Sequence, residues 1–452
     1  MTIQIDCFKA YDVRGRIPDE LNVDVAYRIG NAMAEFLDAK QVVLARDIRL
    51  SSQELADAVC EGLLDAGVEV LDIGLGGTEM VYFATGHLQA DGGIMVTASH
   101  NPADYNGLKL VRQESRPISG DTGLVDIRAL AEQDERRISD TRGQRKAVDI
   151  RSAYLDKLLS YVAIDDLKPL KIVVNAGNGG AGLTVDQLEP LLPFDFVKIH
   201  HAPDGDFPNG VPNPMLEENR LPTIEAIRDS GADMGIAWDG DFDRCFFFDE
   251  NGRFIEGYYI VGLLAISLLA DDPGAAIIYD PRLTWNTLET VAAHGGRAVQ
   301  SKSGHSFIKD VMRREDAVYG GEMSAHHYFR EFYYCDSGMI PWLLVAQIIS
   351  RSGRSLSALV DACMEKYPSS GEINRTVPDT QAAIGLFDSR YRADALSVDE
   401  TDGISMEFDS WRFNLRASNT EPVIRLNVES RADKQLMTDK TNELLEVLAS
   451  LK

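Results

Sequence analysis

Apolar and polar positions along this chain alternate in blocks. Short apolar-rich runs of strand length are separated by longer stretches with helical spacing. Residues 42–45 and 68–73 predict two strands. Between them, Ser51 followed by Glu54 has the layout of a capping box opening a helix that runs to about Ala66. Residues 94–96 add a further buried strand. This alternation predicts crossover units and a largely parallel sheet. The charged stretch 134–146 breaks the rhythm and reads as a linker. A second block opens on the apolar run 170–174, contains a strand near 234–238 and closes in a hairpin turning at Asn251-Gly252. A third block carries a strand at 275–279 and runs to about Tyr367. The last, from Ser369, has strands around Met406, Phe413 and Ile424, then a helix from about Lys434 to Leu451. The predicted class is α/β: three similar α/β domains with mixed sheets plus a smaller C-terminal α+β domain. The predicted domain boundaries are 1–145, 150–255, 256–368 and 369–452.

A length of 452 residues accords with several domains rather than one core. The net charge of −26 argues against a nucleic-acid partner, because no basic tract offsets phosphate repulsion. It leaves room for a phosphorylated small molecule, since a few placed arginines make a site locally positive. No apolar run approaches a bilayer span, and residues 1–7 lack the layout of a signal peptide, so no membrane role is expected. Cys7, Cys60, Cys245, Cys335 and Cys363 form neither a zinc spacing nor a disulfide framework, which fits a cytoplasmic location. No stretch specifies an oligomeric state.

The candidate chemistry sits at predicted strand ends. Thr97-Ala98-Ser99-His100-Asn101-Pro102 follows the strand at 94–96. Asn101 before proline is pushed toward extended geometry. Ser99 then sits on an ordered loop where α/β sheets place ligands, with His100 beside it as a possible proton acceptor. On residue types alone a polar turn explains this pair at least as well. Asp239-Gly240-Asp241-Phe242-Asp243-Arg244 follows the strand near 234–238. Three alternate carboxylates there are costly unless a cation gathers them, and all-oxygen ligation favours magnesium. The plainer reading is a solvated acidic turn. An EF-hand is rejected, because Gly240 is misplaced and 245–248 continue as a strand. The similar Asp204-Gly205-Asp206-Phe207 lacks a third aspartate and reads as structural.

Gly320-Gly321-Glu322-Met323-Ser324-Ala325-His326-His327 predicts Glu322 and Ser324 pointing the same way from an extended segment, suited to neighbouring sugar hydroxyls. A strand with a surface turn is the alternative. His326 and His327 would face opposite ways, which argues against a shared metal. Arg416-Ala417-Ser418-Asn419-Thr420-Glu421-Pro422 can wrap an anion with backbone N–H groups and a guanidinium fork. Gly177-Asn178-Gly179-Gly180-Ala181-Gly182 fits a dinucleotide fingerprint. The next strand, however, ends in His200 and His201 where an acidic ribose partner is required, so the glycines read as a tight turn.

Taken together, these motifs resemble the α-D-phosphohexomutase family over nearly the whole length. The resemblance implies four domains around a central cleft. It implies a phosphoserine at Ser99 and a magnesium ion held by Ser99, Asp239, Asp241 and Asp243. Sugar contacts would come from Glu322, Ser324 and His326, with Ala325 where the family usually has glycine. Arg416, Ser418, Asn419 and Thr420, with Arg425 nearby, would hold the phosphate that is not reacting. Arg14 in Tyr11-Asp12-Val13-Arg14-Gly15, Lys109 in Asn106-Gly107-Leu108-Lys109, and Arg244 would neutralise the moving group. His100 or Lys109 would handle the proton. Arg282, and His305 in Gly304-His305-Ser306-Phe307-Ile308-Lys309, match substrate-contacting positions; an ordinary structural role suits each of these single residues as well. The implied activity interconverts mannose 6-phosphate and mannose 1-phosphate, with a hexose 1,6-bisphosphate as intermediate and activator, and supplies GDP-mannose synthesis. Glucose phosphates, alone or alongside mannose, are the alternative. A metal-dependent phosphomonoesterase would share the serine and aspartates but would not need the Arg416 loop.

Overall fold

The computed structural model describes residues 3–417 and 423–451. The chain forms two compact units, Met1–Phe254 with His327–Gly353, and Ile255–His326 with Arg354–Lys452.

The first unit opens with a seven-stranded mixed sheet. Gln41–Arg46 lies between Glu69–Leu75 and Gly92–Val96, all parallel. Tyr105–Arg112 runs antiparallel to Gly92–Val96, and Val13–Arg16 lies antiparallel beyond it. Val42, Leu44, Ile94 and Val96 are buried with Ile29 and Met33 of the helix Val23–Leu37, and with Leu55, Val59 and Leu63 of the helix Ser52–Asp65. Burial on both faces explains why these strands are short continuous apolar runs.

Two local expectations are corrected. Ser51 has helical backbone angles and makes no side-chain cap, so the capping box does not form. Its Oγ instead accepts from Asn106 Nδ2 at 2.8 Å, a long-range bond that replaces the local one. The stretch predicted as a linker ends in the strand Arg145–Ala147, which adds in parallel to Glu69–Leu75. Arg145 anchors it on Asp72 and Asp57, pairings invisible to local charge density.

The same unit contains a five-stranded sheet. Lys171–Asn175 lies between Asp195–Ile199 and Met234–Trp238, all parallel, and Cys245–Asp249 returns antiparallel to Met234–Trp238. The glycine-rich segment is a left-handed turn, with φ of +58° at Gly177 and +60° at Asn178, leading into the helix Ala181–Leu188.

In the second unit, Ala276–Tyr279 lies between Arg297–Gln300 and Tyr319–Gly321, all parallel. The C-terminal sheet is antiparallel throughout, in the order Ile373–Thr376, Val423–Ser430, Trp411–Ala417, Ile404–Glu407, Ser397–Asp399. It shares a core with the helices Thr380–Tyr391 and Lys434–Ala449. The fold is α/β with mixed sheets and an α+β C-terminal part. Among the described residues no helix is long and apolar enough to cross a membrane.

Candidate active site

Two carboxyl strand ends of the first unit meet. Gly92–Val96 runs into the serine loop and Met234–Trp238 into the aspartate loop. Ser99 Oγ donates to Asp239 Oδ2 at 2.7 Å and lies 3.1 Å from His100 Nδ1. One carboxylate oxygen from each of Asp239, Asp241 and Asp243 lies within 4.8 Å of the other two, and all three residues are buried. Arg244 donates to Asp239 Oδ2 through Nε (2.9 Å) and Nη2 (2.7 Å), and its Nη2 also reaches Ser99 Oγ and His100 Nδ1. Lys109 Nζ bridges Asp241 (2.7 Å) and Asp243 (2.5 Å). Arg14 Nη1 donates to the carbonyl of Thr97 at 3.1 Å, at the start of the serine loop.

The loops approach so closely that position 240 must lack a side chain. A Cβ on Gly240 would sit 2.5 Å from the Ser99 carbonyl oxygen. Thr78, which the sequence reading missed, opens the helix Thr78–His87 and holds the aspartate loop. Its Oγ1 donates to Asp241 Oδ2 at 2.5 Å and its N–H to the Asp241 carbonyl at 3.1 Å. No local pattern marks Thr78, because its partner is 163 positions away.

The electrostatics follow from burying like charges together. Burial raises Asp243 well above the ordinary carboxylate range, and the neighbouring Asp241 adds to it. Asp241 goes the other way: Lys109 and Arg14 outweigh its burial and lower it. Burial is opposed at Lys109 by Asp241 and Asp243, so its ammonium is held charged more firmly than usual. Burial and the charge of Arg244 depress His100, which is therefore neutral. Asp241 Oδ1 is buried with no hydrogen-bond partner among the described residues. A carboxylate oxygen in that state, beside two more carboxylates, suits an oxygen-coordinated divalent cation.

In the second unit the other candidates gather around a buried arginine. Arg282, 2 % exposed, is gripped by Asp280 through Nε (2.9 Å) and Nη2 (2.7 Å). Its Nη2 also lies 3.3 Å from Ser324 Oγ and 3.5 Å from Glu322 Oε1, and Nη1 reaches Glu372 Oε2 at 3.3 Å. Its donors thus point at protein acceptors, and Arg282 orients Glu322 and Ser324. Gly304, preceding His305, donates its N–H to Glu322 Oε1 at 2.8 Å, which brings the start of the helix His305–Glu315 to the same place. His326 Nδ1 lies 3.3 Å from Ser324 Oγ and 3.4 Å from Glu322 Oε2.

The extended segment predicted for Glu322 and Ser324 is instead a turn, because the strand ends at Gly321. Ala325 N–H donates to the Glu322 carbonyl at 3.1 Å, and Ala325 has φ of +69°. That left-handed backbone favours glycine.

Arg416 and Arg425 are direct cross-strand neighbours. Like charges so placed repel. Glu372, also missed in the sequence, offsets this: Oε2 accepts from Arg416 Nη2 at 3.1 Å, and Oε1 lies 3.8 Å from Arg425 Nη1. Burial works against its charge, but Arg282, Arg416 and Arg425 outweigh it and hold Glu372 at about 2. Ser418, Asn419 and Thr420 lie outside the described residues.

Known proteins resemble this chain along its length. Models described as phosphoglucomutase/phosphomannomutase alpha/beta/alpha domains I, II and III match residues 6–137, 152–252 and 256–367, and the C-terminal domain model matches 372–446. A protein of Xanthomonas campestris pv. campestris (strain B100) named "Phosphohexose mutases" is 60 % identical over 444 residues, 98 % of this chain and 99 % of that one. The phosphomannomutase of Salmonella montevideo is 59 % identical over 453 residues, 99 % of each. The crystal structure of a phosphoglucomutase/phosphomannomutase family protein from Burkholderia thailandensis superposes with a TM-score of 0.88 at 32 % identity, covering 99 % of this chain and 98 % of that one.

Proposed function

The chain belongs to the phosphoglucomutase/phosphomannomutase family, and from that premise we propose that it interconverts mannose 6-phosphate and mannose 1-phosphate through a phosphoserine. The observation that carries this reading is the 2.7 Å contact of Ser99 Oγ with Asp239 inside a buried three-carboxylate cluster. The name phosphomannomutase, carried by relatives 57–59 % identical over 98–99 % of this chain, supports mannose as the sugar.

Phosphorylated Ser99 transfers its phosphoryl group to the free hydroxyl of a hexose monophosphate. The Oγ–P bond breaks, a sugar O–P bond forms, and His100 takes the hydroxyl proton and hands it to the departing Ser99 Oγ, 3.1 Å from its Nδ1. The hexose 1,6-bisphosphate so made presents its other end. Ser99 Oγ then accepts that phosphoryl group, its own proton passes to the departing sugar oxygen, and the phosphoserine is restored. The loose transition state of such transfers makes positioning and charge neutralisation the main tasks. Arg14, Lys109 and Arg244 supply positive charge at the moving group. Magnesium held by Asp239, Asp241, Asp243 and the phosphoserine would supply further neutralisation there. Glu322, Ser324, His326 and His305 would meet the sugar, and Arg282 would orient the first two. Arg416 and Arg425, with Ser418, Asn419 and Thr420, would grip the remote phosphate. The four functional segments are assigned to 1–145, 150–255, 256–368 and 369–452.

The test follows mannose 1-phosphate by ³¹P NMR with the pure protein, magnesium and a catalytic amount of glucose 1,6-bisphosphate. Mannose 6-phosphate should accumulate without free phosphate, and chelation should stop the reaction. Release of inorganic phosphate would identify a phosphomonoesterase instead.

A further inference from the structure

One buried side chain organises the loop that carries the serine. Arg49 lies just beyond the strand Gln41–Arg46 and is 3 % exposed. Its Nη2 donates to the carbonyl oxygens of Ser99 (2.9 Å) and Asn101 (2.6 Å), and its Nη1 to those of Pro102 (2.7 Å) and Tyr105 (3.0 Å). The first three carbonyls belong to the irregular segment between Gly92–Val96 and Tyr105–Arg112, where few ladder bonds are available, and the fourth to the first residue of the second strand. The segment also needs outside support, because Ser99 has φ of +48°, a conformation that L-residues avoid.

The guanidinium is itself held. Asp47 Oδ2 lies 3.5 Å from Arg49 Nε, and Asp47 Oδ1 accepts from the Arg49 N–H at 3.0 Å and from Ser52 Oγ at 2.5 Å. Ser52 Oγ in turn accepts from Asn106 Nδ2 at 2.9 Å. The guanidinium carbon also sits 5.3 Å from the centre of the Phe207 ring. A planar fork with paired hydrogens on each Nη can serve four carbonyls at once. A lysine ammonium presents its donors from a single point and cannot.

We propose that Arg49 is a positioning residue for the phosphoryl-carrying serine. It fixes the backbone from Ser99 to Tyr105, so that Ser99 Oγ keeps its contact with Asp239, and it touches no substrate itself. The role rests on the reading of Ser99 as the phosphoryl carrier.

The experiment compares wild type, Arg49→Lys, Asp47→Asn and Ser99→Ala in the mannose 1-phosphate assay, with glucose 1,6-bisphosphate and magnesium. Arg49→Lys should lower kcat by roughly 100-fold, the scale of a displaced reacting group. Its KM should stay within about threefold, because substrate binding is untouched. The ³¹P resonance of the phosphoserine should shift or broaden. Ser99→Ala should lose both turnover and that resonance. An inactive Ser99→Ala beside an Arg49→Lys with wild-type kcat, or with only KM raised, overturns the positioning role and leaves the serine reading intact. Wild-type turnover in Ser99→Ala would remove both. If circular dichroism shows that Arg49→Lys does not fold, Asp47→Asn carries the test. It keeps the guanidinium but loosens its anchor, and it should lower kcat by roughly tenfold at unchanged KM; a wild-type kcat there overturns the role.

Discussion

Arg416 is the residue on which the mutase reading is most exposed to disproof. One serine has to serve both ends of a hexose, so the phosphate that is not reacting needs a grip that works in two sugar orientations. Arg416 Nε is buried with no partner among the described residues, while its Nη2 is oriented by Glu372 at 3.1 Å. A hydrogen bond between a charged pair contributes about 1.5–3 kcal/mol. Arg416→Ala should therefore raise KM for mannose 1-phosphate by roughly tenfold or more. It should also release hexose 1,6-bisphosphate before the second transfer, so sustained turnover should need added bisphosphate. A normal KM with no released intermediate would make Arg416 structural.

At the scale of elements, the site in the first unit depends on two loops in backbone contact. The aspartate loop is pinned by Thr78 at the head of one helix, and its Gly240 faces the Ser99 carbonyl. A Cβ there would have 2.5 Å of room against a backbone oxygen, which cannot swing aside as a side chain could. Overpacking of this kind costs about 1–3 kcal/mol. Gly240→Ala should lower the urea midpoint accordingly. It should also part the carboxylates from the serine, so that magnesium affinity and kcat fall together. Calorimetric titration of magnesium alongside the assay would check this. Unchanged affinity and kcat would show that the loops separate without consequence.

At the scale of the whole molecule, the net charge of −26 sets two trends against each other as pH falls. Protonating scattered surface carboxylates relieves self-repulsion, whereas protonating buried, paired ones removes native attraction. Glu372 belongs to the second group. Its folded value of about 2 lies below the ordinary 4.5, because Arg282, Arg416 and Arg425 outweigh the cost of burying it. Its stabilisation is therefore present above pH about 4.5 and is lost as pH falls toward about 2. The shift corresponds to about 3 kcal/mol. Glu372→Gln should be destabilised relative to wild type at pH 7, and the gap should narrow between pH 4.5 and pH 3. Calorimetric scans of both proteins across that range would measure it, and a gap independent of pH would separate Glu372 from the arginines.

Much of the fold was legible in residue order, because strands buried on both faces must be short apolar runs and crossover helices must carry helical spacing. The placement of Ser99 and of Asp239, Asp241 and Asp243 at strand ends followed from the same local rules. Local rules end where partners are far apart in the chain. Ser99 meets Asp239 across 140 positions, and Lys109 meets Asp241 across 132. The sequence therefore marked Lys109 as a candidate but could not show that two carboxylates hold its charge. Thr78, Arg49 and Glu372 carry no local signature, since each acts on a segment remote from its own. Ser51 looked like a helix cap until Asn106 offered its side chain another partner. At Glu322–Ala325 the turn held as the alternative prevails over the extended segment, and an alanine at its left-handed position, where glycine would have announced it, left the two readings open. Sequence by itself determined the strands, the strand-end loops and the residue types available for chemistry. Tertiary structure decided which charges face one another and which are neutral, because those depend on distance and burial, and neither is written in neighbouring residues.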